Sequence, residues 1–217
     1  MFIEIPPDIL QSIATNSDRM PKLYYHPRKV AREFFWLRLR TLHHLIEKHV
    51  KNRTRCLDFG CGSGVFLPTL STLFTAVNGI DIEMVEAPKI IDHYHLANVD
   101  LITADINQIN LEKRFDAIIA ADVLEHFNRI EHPVSQIFNW LKEDGLLFTS
   151  LPTENIFTKL TRIAGKYEKP WDHYHRGEDV EEYLSQNGFR KIASTRIVAV
   201  FPLYLISVWG KIHTNAE

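Results

Sequence analysis

The chain has 217 residues, of which 45% are hydrophobic and 24% charged, a balance typical of a globular domain with a sizeable core. Its two cysteines, Cys56 and Cys61, form neither a metal-binding pattern nor a C-x-x-C redox pair, and they indicate a reducing compartment. The first ten residues lack the features of a secretory signal, and the longest apolar run, residues 197–208, contains Pro202 and is too short to span a bilayer. We therefore expect a cytoplasmic protein.

The charge is distributed unevenly along the chain. Residues 19–55 contain eleven Lys and Arg against two Glu, a net charge of +9, whereas the remainder carries −11. A basic segment of this kind favours an anionic partner, which could be a phosphate-bearing substrate, an acidic lipid surface or RNA. A solvated helix face is the alternative, and the sequence does not decide between them.

A long helix is predicted over residues 27–50, with Pro27 in its first turn. Its apolar residues recur at helical spacing, so we expect them on one face, against the core: Val30, Phe34, Leu37, Leu42, Leu45 and Ile46. Tyr24, Tyr25 and Trp36 add aromatic bulk in the same segment. These rings either pack on the main domain or help to close a lid over a substrate.

A glycine-rich turn follows the first predicted strand. The apolar residues of that strand lead into Gly60, Gly62 and Gly64, and a helix is predicted to begin near Val65. Glycine permits the backbone angles of a sharp turn and lets a ligand approach the main chain, while unpaired amides at a helix start suit an anionic or polar group. The spacing G-x-G-x-G departs from the dinucleotide pattern G-x-G-x-x-G. A nucleoside-cofactor loop is predicted, with an ordinary glycine-rich turn as the alternative.

Acidic residues follow the next two predicted strands. Asp81 lies near the end of residues 75–82 and Asp105 directly follows residues 99–104, with helices predicted over 65–74 and 83–95. This alternation predicts parallel βαβ units whose ligand site lies at the carboxyl edge of the sheet. An acid about 20 residues beyond a glycine-rich loop is suited to bind ribose hydroxyls. For Asp105, a helix N-cap is the alternative.

The second half of the chain completes a sheet. Residues 115–121 form a nearly continuous apolar strand, typical of a sheet covered on both faces. A helix over 133–142, stopped by Asp144-Gly145, a strand over 146–151, a helix over 178–187 and strands over 189–196 and 198–209 follow. The polar and aromatic residues 153–177 form an insertion. Its His173 and His175 have no third ligand nearby in sequence, so no metal site is predicted.

Several motifs together carry a resemblance. Asp58 before G-x-G-x-G resembles the first motif of class I S-adenosylmethionine-dependent methyltransferases. The V-L-E-H sequence at 123–126, and an L-K-x-x-G-x-L-x-x-S-x-P pattern over 141–152, are similar to those of the small-molecule and lipid-directed branch. The tetrapeptide [DNS]-P-P-[YF] is absent after the fourth strand, and neither cysteine is placed to attack a pyrimidine. These departures disfavour nucleic acid as the acceptor.

The resemblance implies an α/β fold with a doubly wound, seven-stranded Rossmann-like sheet. This sheet would be mostly parallel with an antiparallel last strand and helices on both faces. Residues 1–53 would be an N-terminal helical elaboration or lid, and residues 54–212 the cofactor-binding domain, within one globular unit. S-adenosylmethionine would be the cofactor and S-adenosylhomocysteine the product. The implied cofactor-binding residues are Asp58, Gly60, Cys61, Gly62, Gly64, Asp81, Ile82, Asp105, Ile106 and Asp122.

The acceptor is predicted less sharply than the cofactor. His126, His173 and His175 are the candidate catalytic bases, because imidazole titrates near neutral pH. The basic N-terminal segment and the aromatic insertion indicate a small-molecule, lipid or glycan-type acceptor with anionic and apolar parts, methylated at oxygen. Alternatives are a non-catalytic cofactor-binding module, an RNA methyltransferase and a nicotinamide oxidoreductase. The sequence does not predict the oligomeric state.

Overall fold

Seven strands form a single sheet in the computed structural model, which describes residues 1–15, 20–153, 173–197 and 203–212. The strands are β1 (Arg55–Phe59), β2 (Ala76–Asp81), β3 (Val99–Thr103), β4 (Phe115–Ala121), β5 (Leu141–Pro152), β6 (Phe189–Ile197) and β7 (Tyr204–Lys211). Their order is β3-β2-β1-β4-β5-β7-β6, and every neighbouring pair is parallel except those of β7, which runs antiparallel to β5 and β6. The predicted fold is confirmed.

The sheet reverses its strand order at β1, which lies between β2 and β4. Asp58 in β1 stands opposite Gly79 of β2 and Ile119 of β4. Ligands in open parallel sheets bind beyond the carboxyl ends of the strands at such a reversal. The loops after β1, β2 and β4 therefore meet at one place.

Helices cover both faces of the sheet. They are α1 (Pro7–Ile13), α2 (Lys29–His49), α3 (Leu67–Leu73), α4 (Ala87–Tyr94), α5 (Glu131–Trp140) and α6 (Gly177–Gln186), with short 3-10 helices at Lys22–Tyr25 and Leu124–His126. Ile119 packs in the cluster that contains residues of α1 to α4, whereas the adjacent Ile118 packs with residues of α5 and α6. Successive side chains of a strand point to opposite faces, so β4 is buried on both. None of the described helices is both long enough and apolar enough to cross a membrane.

Two predictions about the region of α5 and β5 were wrong. The helix predicted to continue to Lys142 ends at Trp140, and Asp144-Gly145, predicted to stop it, lies within β5. A Cβ on Gly145 would lie 2.8 Å from the carbonyl oxygen of Phe115. Gly145 is thus required by the close passage of β5 along β4, not by a helix end.

The orientation of α2 also differs from the prediction. Leu42, Leu45 and Ile46 are buried as expected, but Val30, Phe34 and Leu37 are exposed. The buried face instead continues through Leu39 and Trp36. At 100° per residue, Leu39 lies roughly opposite the three exposed residues. Apolar residues occupy both sides of the first half of α2, and periodicity alone does not identify the side that packs on the sheet.

Candidate active site

The glycine loop after β1 has the left-handed backbone that its composition predicts. Gly60, Gly62 and Gly64 have φ of 77°, 51° and 79°. A Cβ on Gly60 would lie 2.3 Å from Cγ2 of Val123, and one on Gly64 would lie 2.9 Å from Cβ of Ala87. The glycines therefore allow the loop to pack tightly against the segment after β4 and the start of α4.

Asp81 holds the glycine loop in place. Its Oδ2 accepts a hydrogen bond from the N–H of Gly62 at 2.8 Å, and its Oδ1 accepts one from the N–H of Ile82 at 2.8 Å. The N–H groups of Gly60 and Cys61 both donate to the carbonyl oxygen of Ile80, at 2.8 and 3.0 Å. The loop is thus fixed over the end of β2, with a carboxylate at its centre.

Burial raises the pKa of two neighbouring groups, the Asp58 carboxyl and the Cys61 thiol. Burial, reinforced by the charge of Asp81, raises the pKa of Asp58 to about 7. Burial, followed by the charges of Asp58 and Asp81, raises the pKa of the Cys61 thiol well above its usual value. Cys61 lies beside Met84, with its Sγ 3.4 Å from Sδ. The thiol is neutral and packed, so its place in the loop is that of a small apolar residue.

The residues after β2 and β3 differ in how much surface they offer. Ile82 is 57% exposed beside Asp81, a position where a ligand ring could cover it. Ile106 is buried in the core, so little of its side chain remains for a ligand. Asp105 binds its own turn: Oδ1 accepts from the backbone and side-chain N–H groups of Asn107 at 2.9 and 3.0 Å, and Oδ2 accepts from the Gln108 amide at 2.9 Å.

Asp122, directly after β4, is joined to helix α2. It has a left-handed backbone with φ of 53°, its N–H donates to the carbonyl of Ser150 at 2.9 Å, and its carboxylate forms an ion pair with Arg38. A left-handed conformation is uncommon for residues other than glycine, although Asp tolerates it better than most. Asp122 was predicted to bind the cofactor, and in this structure its charge is directed towards Arg38.

Arg38 is a buried cation, 5% exposed, at the carboxyl edge of the sheet. Its Nη2 donates to the hydroxyl of Tyr24 at 2.6 Å, and its Cζ lies 4.7 and 5.4 Å from the ring centroids of Phe35 and Tyr204. Tyr24 and Trp36 are themselves buried, which agrees with the packing interpretation of these aromatic residues. The guanidinium joins α2, the start of β7 and the loop after β4.

Three acid–base side chains converge beside this cation. Glu125 is fully buried, and possible ligand atoms of Glu125, His126 and His173 all lie within 4.8 Å of one another. The His126 and His173 rings meet edge to face with centroids 4.5 Å apart. The N–H groups of Tyr174 and His175 donate to the Glu125 carbonyl oxygen at 2.9 and 3.4 Å. The segment after the insertion is thereby fixed to the loop after β4.

The structure brings together most of the predicted site residues. The predicted cofactor residues lie at the carboxyl ends of β1 to β4, and His126 meets His173. His175 is outside that cluster and joins it through its backbone N–H. Phe157, Tyr167, Trp171 and Asp172 of the insertion lie outside the described residues. The sequence did not predict Arg38 and Tyr204 as site residues, and it did not predict Glu125 as a candidate base. For Arg38 one signal was available, because this arginine lies within the apolar run F-F-W-L-R-L.

The donors of this site fit a nucleoside cofactor better than a metal ion. A glycine cradle, a carboxylate at the end of β2 and an exposed apolar side chain at Ile82 are the groups that a ribose and a planar ring require. Glu125, His126 and His173 could hold a cation between them. The Arg38 guanidinium already interacts electrostatically with Glu125, however, and a second positive charge there would be repelled.

The sheet order and this loop define a Rossmann-like domain of the class I methyltransferase type. The chain belongs to the methyltransferase domain family, whose model matches residues 28–194.

Two curated relatives are similar over part of their length. An (S)-tetrahydroprotoberberine N-methyltransferase from Eschscholzia californica is 29% identical over 104 residues, which cover 46% of this chain and 30% of the relative. A ubiquinone biosynthesis O-methyltransferase from Pelagibacter ubique is 27% identical over 128 residues, covering 58% of this chain and 53% of the relative. The chain thus spans from under a third to about half of the length of these relatives.

A solved structure extends the likeness over nearly the whole fold. The N-methyltransferase NodS from Bradyrhizobium japonicum WM9, in complex with S-adenosyl-L-homocysteine, superposes with a TM-score of 0.69. The match covers 95% of this chain and 97% of NodS at 16% sequence identity. The two proteins share a fold.

Proposed function

We propose that this protein is an S-adenosylmethionine-dependent methyltransferase that methylates a small-molecule, lipid or glycan-type acceptor at oxygen, with S-adenosylhomocysteine as the product. One juxtaposition carries the proposal. A glycine loop fixed by Asp81 lies at the same sheet edge as the cluster of Glu125, His126 and His173. A cofactor site and an acid–base site are adjacent there, because β1 lies between β2 and β4.

On the cofactor side, each group has a distinct part. The carboxylate of Asp81 accepts hydrogen bonds from ribose hydroxyls, and Ile82 supplies an apolar surface for the adenine ring. Asp58, with its pKa raised to about 7, is poised to ionise beside a positively charged ligand. S-adenosylmethionine supplies an activated methyl group, so the protein contributes mainly position and orientation.

On the acceptor side, His126 takes the proton of the acceptor hydroxyl. The methyl group moves to oxygen as that proton moves to the imidazole ring, so the positive charge of the sulfonium ends on His126 and none remains on the methylated oxygen. The adjacent Glu125 carboxylate stabilises the imidazolium that results, and His173 holds the His126 ring from its side. The loop that carries these groups is fixed by Asp122 and Arg38.

A base at this place favours oxygen over nitrogen as the methylated atom. A neutral amine attacks without prior loss of a proton, whereas a hydroxyl needs a partner that accepts one during the transfer. The relatives are named as both O- and N-methyltransferases, so their names support small-molecule chemistry without selecting the atom. The rings of Phe35 and Tyr204 beside Arg38 are only partly buried, and they suit an acceptor that has aromatic or apolar parts.

A binding module without turnover is the second candidate. The glycine loop and Asp81 would be equally necessary for such a protein, but a buried Glu125 beside two imidazoles would not. An RNA acceptor has less support, because aromatic rings enclose Arg38 among the described residues and leave its charge little access to a phosphate backbone.

The test measures S-adenosylhomocysteine formed from S-adenosylmethionine with panels of phenolic, carboxylic, amine and polyprenyl-bearing acceptors. Wild type is compared with Asp81→Ala, which should bind the cofactor about 100-fold more weakly, at a cofactor concentration that saturates wild type only. Turnover with hydroxyl acceptors that is absent in Asp81→Ala supports the proposal. Saturable S-adenosylhomocysteine binding without turnover on any panel would support the binding module, and preferential turnover of amines would overturn the assignment to oxygen.

A further inference from the structure

Val123 lies between the cofactor loop and the acid–base cluster. It follows Asp122 after β4, and its half-buried side chain packs against Gly60. A Cβ on Gly60 would lie 2.3, 2.8 and 3.4 Å from Cγ2, Cβ and Cγ1 of Val123. Val123 therefore fills the space that a side chain at Gly60 would need, and both of its methyl groups lie against the backbone of the cofactor loop.

The backbone just before Val123 is fixed by its surroundings. Asp122 has a left-handed conformation with φ of 53°, which is uncommon for a residue other than glycine and persists only where neighbouring contacts hold it. Those contacts are the hydrogen bond from the Asp122 N–H to Ser150 and the ion pair with Arg38. The packing of Val123 on Gly60 adds a contact from the cofactor side.

The same segment carries the candidate base. The N–H of His126 donates to the carbonyl oxygen of Val123 at 3.2 Å, across the 3-10 turn Leu124–His126. A shift of Val123 is therefore passed to His126 through a single turn of backbone. Leu124, between them, is fully buried in the cluster that contains residues of α5 and α6. Leu124 holds the turn in the core, while Val123 sets its position relative to the cofactor loop.

We propose that Val123 is a positioning residue, whose branched side chain, packed on Gly60, sets the distance and direction of His126 from the methyl group of the bound cofactor. The inference rests on the proposed function, in which His126 is the base. A misplacement of about 1 Å can cost about 10²-fold in rate. A β-branched side chain suits this role, because its χ1 angle is restricted and both γ-carbons are held with the backbone.

Two other roles for Val123 make different demands on its side chain. If Val123 only filled space, its replacement would alter the free energy of unfolding and leave His126 unchanged. If it contacted a ligand through its exposed part, its apolar character would matter and its branching would not. Positioning requires the branched shape at Cβ, because both γ-carbons and Cβ meet Gly60.

The test compares Val123→Ala, Val123→Leu and Val123→Thr with wild type. Threonine keeps the branch at Cβ at this half-buried position, whereas leucine keeps the apolar character but moves the branch to Cγ. With a hydroxyl acceptor and saturating cofactor, kcat should fall about 10- to 100-fold in the Ala and Leu variants and stay near wild type in Val123→Thr. Val30→Ala, at an exposed position of α2, is the matched valine control.

The affinity for S-adenosylhomocysteine should stay close to that of wild type in every variant, because the loop keeps its hydrogen bonds to Ile80 and Asp81. A second readout then observes His126 without turnover. The ring nitrogens are followed by NMR in ¹⁵N-histidine-labelled protein with bound S-adenosylhomocysteine, and are assigned by their absence in His126→Ala. The Ala and Leu variants should shift these signals and the pH at which they titrate, and Val123→Thr should not.

Three results would overturn the inference. Wild-type kcat and His126 signals in all three variants would mean that Val123 does not position the base. Wild-type behaviour of Val123→Leu with a loss in Val123→Thr would assign the side chain to apolar contact with a ligand. Loss of S-adenosylhomocysteine binding in variants that urea denaturation shows to be folded would assign Val123 to the cofactor site. If wild type turns over no acceptor, the proposed function fails, and the NMR signals of His126 still decide this inference.

Discussion

The cofactor side and the acceptor side of this site are built in different ways. The cofactor side comes from one stretch of chain, residues 58–82, where the loop after β1 bonds to the end of β2. The acceptor side joins side chains from four distant segments: Arg38 on α2, Asp122 and Glu125 after β4, His173 before α6, and Tyr204 at the start of β7. The first is held by backbone N–H groups that donate to the Ile80 carbonyl and to the Asp81 carboxylate, the second by charged side chains that come from distant segments.

The difference indicates where the protein can vary. Backbone bonds between consecutive elements persist through most side-chain changes, so a cofactor loop of this kind suits many reactions. A cluster of charges from distant segments depends on every member, because removal of one leaves another buried without compensation. We expect the cofactor side to tolerate conservative substitution and the acceptor side to respond sharply.

The largest effect is expected at His126. His126→Ala should lower kcat by about 10² to 10⁴, because it removes the group that accepts the proton. The affinity for S-adenosylhomocysteine, measured by calorimetry, should stay unchanged, since none of the contacts described for the loop of Gly60 to Gly64 involves this side chain. His175→Ala is the matched control, because His175 contacts Glu125 through its backbone. Wild-type rates in both His126→Ala and His173→Ala would exclude the base assignment.

Arg38 tests whether the acceptor side is held by charge. Arg38→Met should lower the free energy of unfolding by about 3 kcal/mol, because Asp122 would lose its counter-ion. Arg40→Met on the same helix breaks ion pairs that are about one-third exposed, so its loss should stay below about 1 kcal/mol. The two are compared by urea denaturation. Equal losses would show that Arg38 contributes packing alone, and the double variant Arg38→Met, Asp122→Asn should recover stability if charge dominates.

Ionisation of Asp58, which lies on the cofactor side, should make the free energy of unfolding depend on pH. Its pKa is about 7 in the folded protein against an ordinary value of 3.8, so between these values the unfolded chain releases a proton that the folded protein retains. Its contribution to stability is therefore complete below pH 3.8 and is lost as the pH rises towards 7. At 1.36 kcal/mol per pKa unit the full loss is about 4 kcal/mol.

The measurement compares urea unfolding of wild type and Asp58→Asn at several pH values across this window. Asparagine does not ionise, so the variant should gain stability relative to wild type as the pH rises. Asp100→Asn, at an exposed position of β3, controls for the loss of one carboxyl group. Parallel pH curves for wild type and Asp58→Asn would mean that the Asp58 carboxyl is ionised without cost in the folded protein.

The residues that the sequence predicted lie mainly on the cofactor side, and those that it missed lie on the acceptor side. Gly60 and Gly62 could be predicted because a sharp turn between strand and helix limits the residues that fit, and Asp81 because it follows that turn by about 20 residues at the end of the next strand. Arg38 and Tyr204 could not, because their meeting depends on how α2 and β7 pack, which no local pattern encodes. Similarly, Val30 was assigned to the core because its spacing was helical, although two faces of α2 are apolar and only packing selects one.

The smallest of these effects is expected for substitution of Asp81. These variants distinguish a carboxylate that binds the cofactor from one that only fixes the loop. Asp81→Ala should weaken S-adenosylhomocysteine binding about 100-fold, since two charge-assisted hydrogen bonds at about 1.5 kcal/mol each would be lost. Asp81→Asn keeps an oxygen that can accept the Gly62 N–H, so it should lose only about tenfold. If both variants bind equally weakly, charge on the ribose-facing oxygen is what matters. If Asp81→Ala binds as wild type does, the carboxylate serves only to fix the loop, and the cofactor side would then resemble the acceptor side in relying on structural charges.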